Sequence, residues 1–213
     1  MNIVFEGING AGKTTIIKRL VEIMKDAGLN VYQIDEINEM SPLSSVLSEM
    51  YKTDTFLRMK KSFNTVITES LILAADYHFL QEATKNLQGY KIFDRDIITQ
   101  VVYQKYFLAS LYGDNNSFFE NWEKCLKFNM KKIDLIVYID VPDKVGLERT
   151  IQRDGVPFYE SDIKIMRDLY KLQKQYAIKF CEENFIPLIL IDGTKGIDEN
   201  ADFLYSKIKG IDC

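Results

Sequence analysis

FEGINGAGKTT, residues 5–15, follows a short apolar run and precedes a segment with helical spacing, and that context decides how the rest of the chain is read. Within it, Gly7-x4-Gly12-Lys13-Thr14 is a complete phosphate-binding loop. Gly7, Gly10 and Gly12 let the backbone wrap with its N–H groups pointing inward. The start of the following helix adds partial positive charge, and Lys13 adds a full one. Thr14 is placed to bind Mg2+ through its hydroxyl. Such a loop serves GTPases and kinases alike, but the Asn-Lys-x-Asp signature for guanine is missing, since TKGID (194–198) has the wrong spacing.

Outward from the loop, five apolar runs rich in Val, Ile, Phe and Tyr read as buried strands: 2–6, 31–35, 90–94, 134–140 and 186–192. The first ends in a glutamate and the other four in an aspartate. Segments with helical spacing lie between them, at 13–27, within 59–87, and at 97–112, 118–130, 144–153 and 161–183, with a turn expected at 112–117. This alternation predicts an α/β chain of the P-loop NTP hydrolase fold, with a five-stranded parallel sheet covered by helices on both faces. In such sheets ligands bind beyond the carboxyl ends of the strands, where the acidic residues cluster.

The 213 residues suit a single domain spanning 1–213. A net charge of −4 argues against a nucleic-acid groove, because a polyanion needs clustered Lys and Arg. No run approaches the eighteen apolar residues of a membrane span, and the expected location is cytoplasmic. Cys125, Cys181 and Cys213 are odd in number and form no CxxC pair, which fits reduced thiols. The single histidine, His78, excludes a metal site built on several imidazoles and reads as a polar helix residue.

The loop resembles the start of thymidylate kinases, commonly FEGxDGxGKTT, and further stretches agree in order and spacing. LILAADYHF (71–79) is similar to the family's LLFAADRxxH, and FDRDIITQVVYQ (93–104) to its DRYxxSxxAYQ. VYIDVPDKVGLERTIQRDG (137–155) resembles the strand and helix leading to its lid, placed near 149–162, with YE (159–160) as the lid's remainder. LIDGT (190–194) resembles its last strand and adenine-side loop. The resemblance implies ATP and Mg2+, with ATP held by Gly7, Asn9, Gly10, Ala11, Gly12, Lys13, Thr14, Thr15, Arg149, Gly193 and Thr194. It also implies a homodimer formed through helices, for which the apolar face of 66–80 would serve.

Moving a γ-phosphoryl group between two anions needs positive charge and close placement more than covalent work by the protein. Lys13 is one such charge. Arg95, just past the third strand, would clamp the acceptor phosphate as a fork. Asp94 is expected either to position Arg95 or to hold Mg2+ through water. Arg149 and Arg153, four apart on one helical face, resemble lid arginines. They would supply the charge that the loop, with Gly10 at its variable position, does not.

Departures from the family pattern concentrate on the acceptor side. Around Asp76, Leu73 stands where the family has a stacking phenylalanine and Tyr77 where it has a base-binding arginine. Asn9 replaces an aspartate that meets the sugar. Asp96 replaces a tyrosine, and Gln100 takes the position that commonly bonds the base, while Thr99, Tyr103 and Gln104 keep the pattern. No arginine occurs from Leu20 to Leu57, and IDEINEMSP (34–42) replaces an arginine-bearing turn. The leading expectation is an ATP-dependent kinase of a nucleoside monophosphate, dTMP or a variant. A deoxynucleoside kinase with Glu36 or Asp35 as base and a nucleotide-binding protein without catalysis are the alternatives.

Overall fold

Ile3, Val4 and Phe5 have no exposed surface because β1 (Asn2–Glu6) runs through the middle of a five-stranded sheet. The computed structural model describes residues 1–53, 63–113, 117–155 and 160–211. The other strands are β2 (Val31–Ile34), β3 (Tyr90–Asp94), β4 (Leu135–Asp140) and β5 (Leu188–Asp192), in the order β2-β3-β1-β4-β5. Every pairing is parallel, and Phe5 stands opposite Asp94 on one side and Val137 on the other. A parallel strand with neighbours on both sides and helices above it has no wet face, hence the unbroken apolar run in β1. Edge strand β5 is mixed, with Leu190 exposed. It starts just after Pro187, which has no N–H for the ladder but still accepts from Ile136 N–H at 3.0 Å.

The helices are α1 (Lys13–Asp26), α2 (Ser44–Thr53), α3 (Phe63–Thr84), α4 (Ile97–Tyr112), α5 (Ser117–Lys127), α6 (Asp143–Asp154), α7 (Glu160–Asn184) and α8 (Ile197–Ile211). Their ends follow local chemistry. Helix α1 stops where Gly28, at φ 79°, returns its N–H to Lys25 O. Helix α6 enters through Pro142, carries Asp143 in its first turn and Arg153 in its last, and closes on Gly155 at φ 66°. Two helices, α2 and α8, were not among the sequence expectations. The buried stripe of α8 includes a polar residue, Asn200, whose amide donates to Asp192 O at 2.9 Å.

The chain divides into two compact units. Met1–Asp35, Gln88–Ile98 and Ile133–Cys213 form the first, with the sheet, α1, α6, α7 and α8. In it α1 packs on the sheet and on α8, and α7 packs on β4 and α6. Glu36–Leu87 and Thr99–Lys132 form the second, built on α2, α3, α5 and most of α4. There Trp122 Nε1 donates to Ser70 O at 2.6 Å, and the Ser70 hydroxyl to Gln104 Oε1 at 2.8 Å, tying α5 and α4 to α3. His78 Nε2 lies 3.0 Å from Cys125 O, the structural part its sequence position suggested. Residues 156–159 of the expected lid, 114–116 of the expected turn, 59–62 of the long helical segment and Cys213 lie outside the described residues.

Candidate active site

The loop between β1 and α1 is shaped by glycines that no other residue could replace without displacement. Gly7 and Gly10 have φ of 140° and 75°. A Cβ on Gly7 would fall 2.5 Å from Ile139 O, and one on Gly10 would fall 2.1 Å from Gly146 O. Gly12 begins α1 at φ 94° and no side chain caps the helix, so its first N–H groups face the loop's interior. Lys13 is buried, its ammonium donating to Gly7 O at 3.0 Å and Ile8 O at 3.1 Å across the same loop. An uncapped helix start beside a lysine is a cradle for phosphate.

Beyond the ends of β1 and β3, four side chains converge on this loop. Thr14 Oγ1 donates to Asp94 Oδ2 at 2.6 Å. The contact brings the Asp94 carboxylate to the loop's threonine. Mg2+ takes one or two protein oxygens and fills its octahedron with water and phosphate. Among the described residues no trio of His, Cys, Asp and Glu could hold a metal unaided. Arg95 occupies the left-handed region at φ 72°, a cost of about 1–2 kcal/mol for a residue with a Cβ. The turn sends its guanidinium to Asn9 Oδ1, to which Nη2 donates.

Two residues beneath this cluster were not singled out from the sequence as site residues. Glu6, fully buried, accepts the Asp96 N–H at 3.0 Å and the Gln173 amide at 3.3 Å. Its only signal was that an acid ends the first strand as it does the others. Gly146 of α6 lets that helix approach the loop, since a Cβ there would fall 2.9 Å from Asn9 O. A glycine in mid-helix was the available clue.

Arg149 Nη1 donates to Gly193 O at 3.0 Å and to Gly10 O at 3.4 Å, joining α6 to the loop and to the β5–α8 turn. Gly193 is buried against Ala11 O, and Thr194 turns back on Asp192 through its N–H and hydroxyl at 2.8 and 2.6 Å. Those two bonds hold the Asp192 carboxyl below its usual range. Arg153 has a different partner from Arg149. It pairs with Asp154 at 2.6 Å, which raises the pKa of the guanidinium, while the charge of Arg95 pushes the other way. Thr15 is exposed on the first turn of α1.

Of the residues expected at the acceptor, Asn9, Asp94 and Arg95 belong to the first unit, and Glu36, Leu73, Tyr77, Gln100 and Tyr103 to the second. Leu73 and Tyr77 are buried one turn apart on α3, and Gln100 and half-buried Tyr103 are neighbours on α4. Glu36 and Asp35, the alternative base candidates, are both exposed. Asp76 is 2% exposed, and its Oδ1 and Gln100 Oε1 are buried without a hydrogen-bond partner among the described residues. Burial pushes the Asp76 carboxyl above its ordinary range, with a smaller opposing pull from Ser41.

A family model described as thymidylate kinase matches residues 5–202. A thymidylate kinase of Geobacillus sp. (strain WCH70) is 28% identical over 204 residues, 92% of this chain and 89% of that one. One of Thermosipho africanus is 28% identical over 223 residues, 99% of this chain and 96% of the other. Among solved structures, a deoxyadenosine kinase from M. mycoides with bound dATP superposes with a TM-score of 0.70, covering 98% of this chain and all of that one at 21% identity. At that identity the likeness bears on the fold alone.

Proposed function

We propose, since the chain belongs to the thymidylate kinase family, that this nucleoside monophosphate kinase moves the γ-phosphoryl group of ATP to a nucleoside monophosphate, giving the diphosphate and ADP. The reading is carried by one observation: the Arg95 guanidinium is turned onto Asn9 of the loop that holds Lys13, so two cations flank one phosphate cradle. Lys13 and the loop N–H groups from Gly7 to Thr15 offset the charge of the transferred group. Arg95 grips the acceptor phosphate as a fork, which aligns it for attack. Arg149 and Arg153 add charge from α6, and Gly193 and Thr194 border the adenine. Thr14 and Asp94 would hold Mg2+, which would offset negative charge on the phosphates.

Buried Asp76 Oδ1 and Gln100 Oε1 both await donors. A base with amino hydrogens answers two acceptors better than thymine, which offers one N–H beside two carbonyls. The acceptor expected is therefore an amino base, packed by Leu73, Tyr77 and Tyr103. The chain works in the cytoplasm as a dimer of two copies joined through α3. ADP release with Mg-ATP, measured against all nucleoside monophosphates and their parent nucleosides, tests the reading. Turnover with a monophosphate is the expected result. Turnover with nucleosides alone would overturn it and make Glu36 or Asp35 the base.

A further inference from the structure

The left-handed turn at Arg95 is gripped from both sides by β1. Arg95 N–H donates to Phe5 O at 2.9 Å, and Asp96 N–H donates to Glu6 Oε1 at 3.0 Å. The first acceptor is a backbone carbonyl, available whatever the side chain. The second is a carboxylate with 0% exposure, placed in the interior where an ionised group is costly unless its bonds require it. Its other oxygen accepts from Gln173 Nε2 at 3.3 Å on α7, and one turn earlier on that helix the Tyr170 hydroxyl donates to Asn9 O at 3.4 Å. Glu6 therefore joins the end of β1, the Arg95–Asp96 turn and α7. Asn9, the residue that receives the Arg95 guanidinium, is held by the same helix. The negative charge of Glu6 also contributes to the raised Cys181 thiol, pushed up to about 11 mainly by burial.

We propose that Glu6 is a positioning residue for phosphoryl transfer: by accepting the Asp96 N–H it keeps Arg95 in the left-handed conformation that aims its guanidinium at the phosphate loop. The proposal rests on Arg95 being the clamp for the acceptor phosphate. It differs from a charge role, because an uncharged side chain with an acceptor oxygen at the same place would serve. Glutamine is such a side chain, with Gln173 reversing its amide to keep the second bond. Methionine fills the same volume without a strong acceptor.

The test compares Glu6→Gln and Glu6→Met, each alone and in an Arg95→Ala background, using the nucleoside monophosphate that gives the fastest ADP release. Glu6→Gln should stay within about threefold of the parent in kcat/KM for that acceptor, while Glu6→Met loses at least about tenfold with the KM for Mg-ATP changed less than about twofold. In the Arg95→Ala background Glu6→Met should add less than about twofold to the loss, because the residue it positions is already gone. Exchange of the Asp96 amide with deuterated solvent should quicken at least about tenfold in Glu6→Met and stay slow in Glu6→Gln. An equal loss from Glu6→Met with and without Arg95 would overturn the proposal. A Glu6→Gln variant that lost about a hundredfold would overturn it too, and that variant decides the matter by itself should Glu6→Met fail to fold. If Arg95→Ala left acceptor use intact, the reading of Arg95 would fall separately.

Discussion

Asp76 shows what a single buried carboxyl does to the whole chain. Burial raises its pKa above the ordinary 3.8, so the folded state keeps this proton at pH values where the unfolded chain has released it. Its contribution to stability is therefore largest below the unfolded pKa and falls as pH rises through the folded one. Asp76→Asn should flatten the pH dependence of the thermal midpoint above about pH 4, and parallel slopes in parent and variant would refute this. Lys13→Ala carries a different expectation. It should lower turnover by about 10^3-fold or more with the circular dichroism unchanged, and near-normal turnover would end the transfer assignment. At this scale the loop's glycines were legible, because the turns and close approaches they permit follow from the backbone alone. The Thr14–Asp94 bond was not among the expectations for Asp94, since a side chain's partner depends on how two distant turns meet. Glu6 was hidden for the same reason: its partners come from residues 90 and 167 positions away.

Among the elements, β1 and β3 were read to the residue and the remaining strands to within two, because strands buried on both faces leave apolar runs that polar turns interrupt. Helix α2 escaped because it follows a Ser- and Pro-containing stretch that reads as a loop, and α8 because its buried stripe carries Asn200. Helix α3 keeps apolar positions exposed along one side: Leu71 by 54% and Phe79 by 50%, with Ala75 between them at the i+4 spacing. Such a stripe fits a symmetric pairing of two copies, each laying the same helix on the other. If two copies pair in this way, Phe79→Glu combined with Leu71→Glu should leave only monomer in sedimentation at micromolar concentration. A parent protein that sediments as a monomer would refute the pairing.

For the molecule as a whole, we propose that residues 1–213 fold as one domain although their contacts cluster in two units. The chain passes from one unit to the other at 35/36, 87/88, 98/99 and 132/133, and the last-but-one passage lies inside the continuous helix α4. Each unit carries its own probe. Trp122, the single tryptophan, is buried in the second unit, and Cys181 is buried in the first with its thiol pushed up to about 11. In a Cys125→Ser/Cys213→Ser background, Trp122 fluorescence and Cys181 labelling should change at the same urea concentration. Two separated midpoints would show two domains. The sheet order also governs when function can begin during synthesis. Ile3 pairs with Ile92 on one side and with Leu135 on the other, so the strand made first lacks its second neighbour until β4 has been made. The phosphate loop that opens the sequence thus has no finished seat until residues near 140 have left the ribosome, and a nascent chain halted before them would carry the whole motif yet grip no nucleotide.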